Sequence, residues 1–96
     1  MDTVSTIESI LRERFGPTHL ELRDESAKHA GHAGATSGGG HFRVTLVSKE
    51  FEGLTRLEQH RAVNEALRGL FGIRIHALAL RTSAPSEWRS GLRSAN

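Results

Sequence analysis

The sequence predicts an α+β fold: a small three-stranded sheet with helices on one face, in the order αββαβα. Two segments repeat apolar residues every three or four positions, as amphipathic helices do, and two others alternate apolar and polar residues, as half-buried strands do. An aliphatic run after the second helical segment supplies the third strand, so the helices and sheet must pack as layers around one core.

The elements follow in order. Val4, Ile7, Ile10 and Leu11 mark a helix over about residues 3–15, with Glu8, Arg12, Glu13 and Arg14 on the other face. Asp2 or Thr3 can cap it, Ser5-Thr6-Ile7-Glu8 also fits a capping box, and Gly16-Pro17 ends it. His19–Arg23 and His41–Leu46 alternate with period two, the second placing Phe42, Val44 and Leu46 on one face. The connection between them, residues 24–40, far exceeds the two to five or so residues a hairpin needs, which is the mark of a functional or disordered loop.

A turn over residues 49–54 precedes Thr55-Arg56-Leu57-Glu58, a second capping-box pattern. Val63, Ala66, Leu67 and Leu70 then form the apolar stripe of a helix that stops near Phe71-Gly72, while Arg61, Asn64, Glu65 and Arg68 face away. Ile73–Leu80 reads as a strand with aliphatic residues on both faces, which predicts a position inside the sheet rather than at its edge. Within it, His76 is expected on the face of Arg74, Leu78 and Leu80. Ser83–Trp88, with Pro85 in its first turn, opens a last short helix.

The chain of 96 residues reads as a single domain, 1–96, with a Gly/His loop over 25–40 and a polar tail over 90–96. A formal charge of +2 permits nucleic-acid contact without requiring it, although Arg74, Arg81, Arg89 and Arg93 leave the last third basic. With no cysteine, the chain itself supplies no disulfide, thiol nucleophile or thiolate metal ligand. No signal or transit pattern and no membrane-length apolar stretch is evident, so a cytoplasmic location is expected, without membrane association.

Catalysis is not expected. Gly38-Gly39-Gly40 leads into a strand, the wrong context for a phosphate loop, and nothing groups a nucleophile with a base and an orienting acid. The histidines carry the better chemistry. From spacing alone, His76 reads as a core histidine bonded to backbone, His29 and His32 read as loop residues able to pick up zinc or nickel, and His41 packs or caps at a strand start. Arg56, His60, Arg61 and Arg68 could meet phosphates as a recognition helix does, although Glu52, Glu58 and Glu65 among them suit a solvated, salt-bridged face.

Five stretches, DESAKHAGHAG, HFRVTLVS, FEGLTRLEQHRAVNEAL, IHALAL and APSEW, resemble the BolA family in content and order, over nearly the whole chain. The resemblance implies a fold like a type II KH domain, with FEG and the following helix forming a helix-turn-helix-like unit. It further implies association with a monothiol glutaredoxin, the two proteins sharing a [2Fe-2S] cluster. The implied ligands in this chain are His29, with His32 as the alternative, and His76.

Such clusters accept imidazole in place of thiolate on one iron, so a chain without cysteine can supply nitrogen while the partner and its glutathione supply sulfur. A role in iron–sulfur handling or iron signalling follows from that resemblance. The alternative it carries is a DNA-binding transcription regulator of morphology or stress genes. Two departures from the family pattern stand out. Gln59-His60-Arg61 lacks one expected positive charge on the helix-turn-helix-like face, and Ala84 before Pro85 removes a hydroxyl cap. Homodimerisation through the strand face or the helix surface is a further expectation.

Overall fold

The computed structural model describes residues 2–26 and 39–88. Helix α1 (Thr3–Phe15) begins where the Asp2 carboxylate accepts the Ser5 N–H at 2.7 Å. It ends at Gly16, whose left-handed φ of 52° lets its N–H reach the Arg12 carbonyl. Asp2 is therefore the cap among the predicted alternatives, and Ser5 lies inside the helix. Strands β1 (His19–Asp24) and β2 (Gly40–Val47) pair antiparallel, with Leu22 opposite Val44 and Arg23 opposite Arg43.

After β2, Ser48 is fully buried; its Oγ donates to the Phe15 carbonyl at 2.7 Å and accepts the Glu50 N–H, tying the end of α1 to the exit of β2. A three-residue 3-10 turn (Lys49–Phe51) follows, so the segment ahead of the next helix is not a full helix. Helix α2 (Arg56–Leu67) carries the predicted capping box with both bonds made: Thr55 Oγ1 accepts the Glu58 N–H at 3.1 Å, and Glu58 Oε1 accepts the Thr55 N–H at 2.8 Å. A 3-10 turn (Arg68–Leu70) closes it.

Ile7, Leu11 and Phe15 of α1, Val63 and Leu67 of α2, and Phe42, Val44 and Leu46 of β2 form one core with Phe51 and Ile75. The helices thus cover one face of the three-stranded sheet, as predicted. The open face holds His41, Arg43 and Thr45 of β2, which alternate with the core residues. At its far end the Trp88 indole, in helix α3 (residues 85–88), stacks on His19 with ring centroids 4.7 Å apart. Without a hydroxyl at Ala84, α3 is capped in reverse: Glu87 Oε1 accepts the Ala84 N–H at 3.0 Å.

The third strand departs from expectation. Strand β3 (Ile75–Ser83) starts later and runs further than predicted, because Gly72 (φ 82°) opens a turn that leaves Ile73 74% exposed. The sheet order is β1-β2-β3, with β2 and β3 parallel, so β3 is an edge strand rather than an interior one. Its aliphatic content comes from Leu78 and Leu80, which lean on the core, and from small Ala77 and Ala79 on the other face.

The predicted face of His76 is also corrected. Gly40 pairs with Ile75 but His41 pairs with Ala77, so β3 carries an extra residue there. A bulge of this kind reverses the alternation. Ile75 is buried in the core, His76 is exposed, and Leu78 and Leu80 return to the core side.

Candidate functional site

The bulge places the His76 ring beside that of His41, with centroids 5.1 Å apart and planes inclined by 48°. His41 sits on the open sheet face because Phe42, next to it, points into the core. Sequence spacing gave no sign of this pair, since the two histidines lie 35 positions apart and meet only through the β2–β3 register.

The ends of the long loop converge on the same spot. Glu25 N–H donates to the His41 carbonyl at 2.8 Å, the His41 N–H donates to Ser26 Oγ at 3.1 Å, and Asp24 Oδ1 holds the Ser26 N–H at 2.9 Å. Arg43 reaches back to Glu25 at 3.1 Å. At the other end, Gly40 N–H donates to the Arg74 carbonyl at 3.1 Å. Gly39, with φ 101°, passes so close to β3 that a Cβ there would fall on the Arg74 carbonyl carbon and the Ile75 nitrogen. Gly39 is thus a close-approach device at the entrance to β2.

His29 and His32, the predicted loop ligands, lie outside the described residues. Among the described residues no group of three His, Asp or Glu is arranged to hold a metal. His41 and His76 by themselves offer two imidazoles on an exposed strand end, which is half of a four-ligand site.

The predicted phosphate-contacting residues are spread around α2 and the turn that follows it. At 100° per residue, Arg61 of α2 and Arg68, the first residue after it, fall within about 20° of each other on the outward side, and Arg56 and His60 lie about 100–140° round from Arg61. Arg68 is engaged by Glu65 at 3.4 Å. His60 is half-buried with a buried Nε2 that has no hydrogen-bond partner, and burial, with Arg56 second, holds its pKa below the ordinary value.

The missing charge at Gln59 has a different meaning from the one expected. Gln59 is buried, its Nε2 donates to the Leu54 carbonyl at 3.1 Å, and its Oε1 accepts the Thr82 hydroxyl at 2.7 Å. This position faces β3, so its charge does not bear on the outward face.

Among the described residues, no helix is long and apolar enough to cross a membrane. The chain matches the family described as BolA-like protein over residues 11–87. It is 44% identical over 85 residues to BolA-like protein 1 of Homo sapiens, covering 88% of this chain and 60% of that protein. The chain therefore spans less than two thirds of that relative's length. It is 40% identical over 83 residues to a Vibrio cholerae protein named DNA-binding transcriptional regulator BolA, covering 86% of this chain and 76% of that one. The structure superposes on BolA1 from Arabidopsis thaliana with a TM-score of 0.79 at 36% identity, covering 91% and 96% of the two chains. The fold and these similarities together identify the chain as a member of the BolA-like protein family.

Proposed function

We propose that this chain is an adaptor or regulator that binds a monothiol glutaredoxin and shares a [2Fe-2S] cluster with it, in iron–sulfur handling or iron signalling. His76 supplies one ligand and His29 the other, with His32 as the alternative. The observation that carries the reading is the exposed His76, set on a bulge at the sheet end where both loop ends are anchored. Ser26, from which the chain leads on to His29, is anchored at His41, whose ring meets that of His76. Nitrogen donors at both positions suit the iron that lacks protein thiolates, and the sulfur comes from the partner and glutathione. The cluster would supply a redox-active, transferable iron–sulfur unit; this chain's part is to bind, orient and release it.

The test is a mixture of the chain with a monothiol glutaredoxin, glutathione, iron and sulfide under anaerobic conditions. The visible absorption and circular dichroism of the cluster should change when the chain is added. A His76→Ala variant that is folded and still gives the wild-type spectrum would remove the ligand assignment.

A second reading, DNA binding through α2, is favoured by the name of the Vibrio cholerae relative and by the outward placement of Arg61 and Arg68. It expects binding that weakens steeply with salt and falls on Arg61→Ala. Absence of binding at low salt removes it.

A further inference from the structure

Strand β3 has the composition of an interior strand and the position of an edge. It is nine residues long, contains one charged residue, Arg81, and no proline, and pairs with β2 as its sole neighbouring strand, while its first residue, Ile75, also bridges to Phe71 and its carbonyl accepts the Gly72 N–H. The opposite edge strand, β1, is shorter and carries Glu21, Arg23 and Asp24, the charged residues that discourage further pairing. On β3, Leu78 and Leu80 are only half-buried although both lean on the core, because no neighbour covers their outer side.

The outer backbone groups can be assigned. Ser48 N–H donates to the Ser83 carbonyl, so that carbonyl points toward β2. Backbone groups alternate along a strand, and the N–H and C=O of Leu78, Leu80 and Thr82 therefore point outward. Among the described residues no backbone hydrogen bond reaches them from that side.

We propose that this edge pairs with the β3 edge of a second copy of the chain, antiparallel, about a two-fold axis at Ala79. The sequence complements itself in that register. Leu78 of each copy stands opposite Leu80 of the other, in hydrogen-bonded pairs formed by the outward groups, and each leucine covers the other's open side. On the open face Arg81 stands opposite Ala77 of the other copy, so the two arginines do not meet. At the axis the two Ala79 residues form a non-hydrogen-bonded pair, where Cα atoms approach to about 4.5 Å and small side chains fit best. Shifting the axis to Leu78 or Leu80 leaves one leucine opposite His76 or Thr82, and shifting it to Arg81 opposes like charges. The two His76 residues lie at opposite ends of the paired strands, each about 20 Å along the strand from the other, so both His41–His76 pairs stay open.

The experiment is sedimentation equilibrium on the full chain over a wide concentration range, with Ala79→Glu and Ala79→Lys. Ala79 is exposed on the open face, so both variants keep the core intact. The wild type is expected to dimerise, each variant alone to dissociate with a dissociation constant raised at least about tenfold, and an equimolar mixture of the two to regain dimer by pairing opposite charges. The Leu78 and Leu80 amides should become protected from exchange as concentration rises. A wild type that stays monomeric throughout, or an Ala79→Glu variant that dimerises like wild type, overturns the proposal. If the edge is protected only when a glutaredoxin is added, the strand belongs to that partner and not to a second copy.

Discussion

The rings of His41 and His76 stand 5.1 Å apart on the open sheet face, joined by a register irregularity between β2 and β3. With His76 as the proposed ligand, His41 is the group placed to orient it. A His41→Ala variant mixed with glutaredoxin, glutathione, iron and sulfide should alter the circular dichroism of the cluster while retaining the wild-type iron content. Iron loss equal to that of His76→Ala would instead make His41 a ligand in its own right.

Gly39 holds the entrance to β2 against the start of β3. Gly39→Ala combines a disfavoured positive φ with a clash against the Arg74 and Ile75 backbone. It should destabilise the fold by more than about 1 kcal/mol, and the His76 ring signals should shift in its NMR spectrum. Unchanged urea midpoints and unchanged His76 signals would show that the approach is looser than described.

Gln59 and Thr82 link α2 to β3 through a buried bond of 2.7 Å. Gln59→Leu leaves the Thr82 hydroxyl and the Leu54 carbonyl without that partner, a cost of about 1–3 kcal/mol in chemical denaturation. Adding Thr82→Val should recover part of it, since removing both partners avoids an unsatisfied group. Additive losses in the double variant would count against the link.

His60 sets a pH dependence. Burial, and then Arg56, hold its folded pKa below the ordinary 6.5. The unfolded chain takes up this proton at a higher pH than the folded chain does. The stability it contributes is therefore present above 6.5 and is lost as pH falls toward the folded pKa. Between about pH 7.5 and about pH 5.5, the urea midpoint of the wild type should fall more than that of His60→Phe. Parallel falls in the two proteins would assign the effect to other groups.

Much of the fold was legible from local pattern. The α1 boundaries, the Gly16 stop, the Thr55–Glu58 capping box and the inward faces of β2 and α2 all depend on residues within one or two turns of each other. Gln59 was misread as part of the exposed face because its polarity resembles its neighbours' and its partner, Thr82, is 23 positions away.

The sequence by itself determined the element types, their order, the core stripes and a cysteine-free chain rich in histidine, because periodicity, caps and composition act over short distances. Only the tertiary structure decided that β3 is an edge, that a bulge turns His76 out of the core, and that His41 meets it. Strand order and register come from pairing between distant segments. One extra residue in that pairing reverses which face a side chain occupies, and nothing in the local spacing around His76 records it.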